Sequence, residues 1–102
     1  MDSILSWFAL PFEKQMLNIG SEVSRALRWK NAGNREREVN AAIKAVEIFG
    51  LTKMDPKHAK RFLELHDYEL TLMDYLFGEN ERGNTDESIM ALYNQFWQDA
   101  DE

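Results

Sequence analysis

The sequence predicts an all-α protein: a four-helix bundle with a short N-terminal apolar segment packed against it. Three observations predict it. Apolar residues recur at steps of three and four through four separate stretches, the spacing of one helix face. Three of those stretches close on a glycine, and each opens through a proline or a capping residue. No run alternates with period two, so no strand is expected. The chain has 102 residues, the size of one domain.

Residues 2–10, with Trp7, Phe8 and Leu10, form an apolar lead-in. It is expected either to dock across the open end of the bundle or to join a contact between two copies. Pro11 suits a first helical turn, where an N–H has no partner anyway. From there Phe12, Met16, Ile19, Val23 and Ala26 share one face, predicting a helix over 11–31 with Gly33 as its stop. Gly20 lies inside that helix beside Ser21 and Ser24. An interior glycine costs about 1 kcal/mol against alanine, so another helix is expected to cross closely over this small face.

Asn34 is a cap for a second helix over 35–49, with Val39, Ala42, Ile43 and Val46 toward the core. Gly50 followed by Leu51 fits a left-handed terminus. Asp55-Pro56 opens a third helix over 56–77. Its stripe is Ala59, Phe62, Leu63, His66, Leu70, Met73, Leu76 and Phe77, and it ends at Gly78. Residues 79–84 are polar and form a loop. Asn84 or Thr85 caps the last helix over 85–98, and Asn84 to Glu87 has capping-box spacing. Ile89, Leu92, Tyr93, Phe96 and Trp97 are its apolar face.

Composition narrows the class. Apolar residues make up 44% of the chain, enough for a core and too many for disorder. Cysteine is absent, which excludes disulfides and thiolate metal sites. No run approaches the ~20 apolar residues of a membrane span. An acid, Asp2, stands where a signal peptide carries bases. A cytoplasmic protein with no membrane association is the expectation.

Charge is segregated within a net −6. After Phe62 there are eleven acids and one base, Arg82; between Val23 and Lys44 there are six bases and two acids. Arg25, Arg28, Trp29, Lys30, Arg35 and Arg37 therefore form a basic corner. One reading places a phosphate or nucleic acid there, with Trp29 stacking on a base. The other lets the acidic half neutralise it, within one chain or across a dimer. The overall negative charge favours the second, because a polyanion is repelled at long range. The acidic half also fits an inhibitor that docks on a nucleic-acid-binding protein.

No glycine-rich phosphate loop is present, and the spacing of Ser, His and Asp singles out no nucleophile. His66 and Glu69 share a face without the further glutamates of a di-metal site, so neither metal nor cofactor is expected. His58 is expected at the surface. The segment Arg61-Phe-Leu-Glu-Leu-His66 resembles the Arg-x4-His signature of HEPN ribonucleases, which are small dimeric helical bundles. That resemblance implies His66 as acid–base group or aligner of a 2′-hydroxyl, and Arg61 as stabiliser of phosphorane charge. Residues five apart on one helix point about 140° away from each other, so a partner chain or a kink is needed to unite them. The alternative for His66 is a hydrogen-bonded core histidine. Trp7 to Val23, with Trp29-Lys30 and Asp74 to Asn80, is similar to a group of short prokaryotic proteins of unknown function. That likeness implies a microbial cytoplasmic origin and no particular activity. The expected function is a non-enzymatic interaction module, a homo-oligomer or a protein-binding scaffold. A HEPN-like ribonuclease and an acidic inhibitor are the alternatives.

Overall fold

The computed structural model describes residues 3–96. Among these the protein is all-helical: α1 (Ser3–Phe8), α2 (Phe12–Asn31), α3 (Arg35–Met54), a 3-10 segment (Pro56–Arg61), α4 (Phe62–Leu76) and α5 (Asp86–Asn94). None of these helices is long and apolar enough to cross a membrane. Trp97 and Gln98, expected at the end of the last helix, lie outside the described residues.

The first helical stripe is used as its spacing predicts. Phe12, Met16, Ile19, Val23 and Ala26 are all buried. Gly33, at φ 76°, ends α2. Its N–H donates to the Lys30 carbonyl at 3.1 Å and the Asn34 N–H to that of Trp29 at 2.9 Å, which satisfies two of the helix's terminal acceptors. Asn34 then caps α3 by accepting from the Arg37 N–H at 3.1 Å. Gly20 permits the close crossing expected of it. A Cβ there would lie 2.7 Å from the Tyr93 Cβ, so α5 rests almost directly on the α2 backbone.

The second helix corrects the reading of Gly50. It does not stop there but continues to Met54. The reason is that Phe49 and Thr52 are both buried, so their packing outweighs the glycine's cost, about 1 kcal/mol. The real stop is Pro56, which forces the residue before it out of the α region. Asp55 sits at ψ 119°. The buried face of α3 also differs from the one expected. Ala41, Ala42, Ala45 and Phe49 are buried, whereas Ile43 is exposed and Val39 and Val46 are half-buried.

The third stretch is two elements rather than one helix. Asp55 caps the 3-10 segment by accepting from the Lys57 N–H at 3.0 Å. His58 then breaks helical geometry at φ −105°, ψ 16°, and α4 begins at Phe62. At its far end Gly78 passes so close to the Asp74 backbone that a Cβ would meet the Asp74 oxygen at 3.0 Å. The Asp74 carboxylate organises the loop beyond, accepting from the N–H groups of Glu81 at 2.8 Å and Arg82 at 3.1 Å. The cap of α5 is Thr85, and its reciprocal partner is Ser88 rather than Glu87.

The core gathers Phe12, Met16, Ile19, Val23 and Leu27 from α2, Ala45 and Phe49 from α3, Leu65 and Leu72 from α4, and Ile89 and Tyr93 from α5. Ala26, Ala41 and Ala42 make a smaller contact between α2 and α3. The lead-in is helical, and it docks on the rest of the protein through Trp7, whose Nε1–H donates to Thr52 Oγ1 at 2.9 Å.

Candidate interaction surface

Two apolar lines run along α4, about 100° apart at 100° per residue. The inner line is Leu65, Glu69, Leu72 and Leu76; Leu65 and Leu72 are fully buried in the core. The outer line is Leu63, His66, Leu70, Met73 and Phe77, stepping by three and four in the manner of a coiled-coil seam. The structure leaves this outer line in solvent. Leu63 is 81% exposed, Leu70 42%, Met73 40% and Phe77 46%. The expectation that the whole stripe from Phe62 to Phe77 lines the core is therefore corrected.

Lys53 of α3 fixes the side on which the seam opens. Its ammonium donates to Glu69 Oε1 at 2.6 Å and to His66 Nδ1 at 3.1 Å, and lies 5.4 Å from the Phe62 ring centroid. Accepting at Nδ1, a neutral His66 carries its proton on Nε2. His66 and Glu69 do share a face, and the lysine occupies the space between them. His66 is about half exposed, not a core histidine. Among the described residues, seven of the nine large exposed hydrophobic side chains belong to α3, α4 and its C-cap: Ile43, Met54, Phe62, Leu63, Leu70, Met73 and Phe77. Scattered exposed apolar residues are ordinary, but a grouped set marks a contact surface.

Arg61 and His66 contact different neighbours. Arg61 places its guanidinium 4.3 Å from the Phe12 ring centroid, beside α2, with Glu64 at 3.6 Å. His66 faces Lys53 of α3 and stacks with Phe62. Both remain exposed to a partner. Among the described residues no group of three or more His, Asp or Glu side chains is placed to hold a metal ion.

The basic corner is neutralised only in part. Lys30 pairs with Asp86 of α5 at 2.7 Å. Burial alone would lower the Lys30 pKa, but the hydrogen bonds to Asp86 and Tyr75 outweigh it and raise it. The same contacts hold Asp86 below the usual carboxylate range. Arg25 pairs with Glu22, and Arg35 with Glu38 at 3.1 Å. Arg37 lies over the Trp29 ring, 4.7 Å from its centroid. Arg28 has no acidic partner among the described residues.

Sequence reasoning missed a buried polar clip where α1, α2 and the 3-10 segment meet. Gln15 is wholly buried; its Nε2 donates to the Trp7 carbonyl at 2.8 Å and to Asp55 Oδ2 at 2.9 Å. Both amide hydrogens are thereby engaged, so Gln15 Oε1 must accept, and His58 Nε2–H donates to it at 2.6 Å. His58 is buried, contrary to the surface position expected for it, because its ring also packs edge-on against Phe12. Burial depresses its pKa below the ordinary 6.5, opposed by neighbouring Asp55. Burial acts upward on Asp55, yet hydrogen bonds from Lys57 and Gln15 hold it below the ordinary 3.8. The Asp55-Pro56 dipeptide was the only signal in the chain for this clip, and it reads first as a helix start. No family model matches the chain, and the searches of curated proteins and of solved structures find no match either.

Proposed function

We propose that the four longer helices form a four-helix bundle that presents α4 as a self-association surface, so that the protein works as a cytoplasmic homodimeric interaction module. The seam left in solvent at Leu63, His66, Leu70, Met73 and Phe77 carries this reading. It spans about 21 Å at 1.5 Å per residue, and its heptad spacing is made for a second helix.

Charge selects a second copy as the occupant. Lys60 and Arg61 lie at the amino end of α4, Arg61 beside Glu64, and Asp74, Glu79 and Glu81 outnumber Arg82 at its carboxyl end. Antiparallel pairing of two copies sets each basic end beside an acidic one and opposes the helix dipoles favourably. Parallel pairing sets like against like. A two-fold axis through the middle of α4 therefore makes the surface complementary to itself.

Light scattering coupled to size-exclusion chromatography tests this at moderate salt. The expected result is a dimer that Leu70→Glu converts to monomer while the helical circular dichroism is retained. A strict monomer across the accessible concentration range defeats the reading.

A second reading rests on the exposure of Arg61 beside that seam and of His66 within it, since a partner copy is what the HEPN resemblance requires. RNA cleavage lost in His66→Ala with the dimer intact would support it.

A further inference from the structure

The outer face of α2 is remote from the α4 seam in sequence and carries chemistry of another kind. Between α2 and α5 lies a cavity of about 300 Å³ whose lining includes Ser21, Ser24, Arg25, Arg28 and Asn94. Among the described residues none of its lining is acidic, although Ser24, Arg28 and Asn94 also border a neighbouring cleft that holds Asp86 and Glu87. The Ser21 hydroxyl donates back to the Leu17 carbonyl at 3.1 Å, leaving the hydroxyls of Ser24 and Tyr93 and the Asn94 amide as neutral donors of the lining; the buried Tyr93 hydroxyl has no hydrogen-bond partner among the described residues. A second cleft of about 370 Å³ is lined by the same two arginines together with Trp29 and Ala32. Arg25 and Arg28 thus stand between a space rimmed by hydrogen-bond donors and a space walled by an indole.

We propose that these adjoining cavities bind a phosphomonoester attached to a planar group, the chemistry of a nucleoside monophosphate. Guanidinium groups fork onto phosphate oxygens, and two of them with a hydroxyl and an amide fit a tetrahedral anion. Arg28 has no acidic partner among the described residues and is ready to bind, whereas Arg25 is paired with Glu22 and shares its guanidinium with the phosphate. Arg37 approaches the indole from α3 and shares a separate cleft with it. The cleft beside Ala32 reaches Trp29 away from Arg37, and there the planar group stacks. A single phosphate feels the arginines within a Debye length of about 8 Å. A long polyanion also feels the negative charge of the rest of the surface, which is why the proposal is a mononucleotide and not a nucleic acid.

Titration of the full chain with AMP, ribose 5-phosphate and inorganic phosphate, followed by NMR at the Trp29 indole and the Ser24 amide, tests it. Saturable shifts are expected with AMP, which binds more tightly than ribose 5-phosphate. Loss of one charge-assisted contact in Arg28→Ala weakens AMP by about tenfold. Trp29→Leu removes the advantage of AMP over ribose 5-phosphate. Arg35→Ala, at the same corner but lining neither cavity, leaves affinity within about twofold. Absence of a saturable shift up to about 10 mM AMP overturns the proposal. So does equal weakening by Arg28→Ala and Arg35→Ala, which is diffuse attraction to positive charge. Circular dichroism of each variant confirms that the fold persists.

Discussion

Helices α2 and α4 are both amphipathic, yet they use their apolar residues in opposite ways. In α2 every residue of the stripe Phe12, Met16, Ile19, Val23 and Ala26 is buried. In α4 the outer line from Leu63 to Phe77 faces water while Leu65 and Leu72 fill the core. The difference lies in the neighbours each helix has. Helices α3 and α5 both pack on α2 and bury Leu17 and Leu27 beside the stripe, whereas α4 packs on α3 and the 3-10 segment. The α4 arc is wide enough for two orientations, and the alternative with Leu65, Glu69 and Leu72 inward is held by Lys53 bonding to Glu69. A spacing pattern finds that an apolar face exists. It does not say which half of a wide one the fold will choose.

Substitutions on the two kinds of face sharpen this contrast. Phe49, which packs with the α2 stripe, is fully buried. Phe49→Ala should cost about 3–5 kcal/mol in chemical denaturation, the transfer loss plus a cavity. A cost under about 1 kcal/mol would mean that this core is not closely packed. Gly20→Ala comes next. It gains about 1 kcal/mol of helix propensity, but its Cβ would sit 2.7 Å from the Tyr93 Cβ, which is anchored in a buried residue. Overpacking costs of about 1–3 kcal/mol should prevail, so a raised melting temperature in this variant would break the close-crossing account.

Acid should act on the polar clip. The pKa values of His58 and Asp55 are both lower in the folded protein than their ordinary 6.5 and 3.8. As pH falls the unfolded chain takes up each proton first, so protonation favours unfolding. Stability is complete above about pH 6.5, declines as pH falls through the lowered pKa of His58, and declines again below the ordinary carboxylate range as Asp55 titrates. Denaturation midpoints at about pH 7, 5 and 3 read this directly; a flat profile would remove the clip from the account of stability. The smallest effect belongs to Leu63→Ala. At 81% exposure its unfolding free energy should change by no more than about 0.5 kcal/mol in dilute protein. A loss near that of Phe49→Ala would show that the α4 seam is covered within a single chain.

Much of the fold was legible because local chemistry decided it. Gly33, Asn34 and Pro56 each act over a few residues, and a chain that turns at those points shows it in sequence. Gly50 misled because the same residue type that ends helices also survives inside them when neighbours such as Phe49 and Thr52 are buried. The break at His58 was hidden for a related reason. Its hydrogen bond to Gln15 joins residues 43 apart, and no local pattern records such a partner. The candidate surface was visible as residues but not as a surface, since Leu70 and Leu72 look alike until the rotation of the helix is known.

The elbow formed by Pro56–Arg61 has a mechanical consequence. Lys57 reaches the Phe8 carbonyl at 2.6 Å and Asp55 Oδ2 at 2.5 Å, so the end of α1 is tied to the hinge from which α4 departs. A bulky fusion or deletion at the amino end would therefore pull on the pose of a helix more than fifty residues downstream.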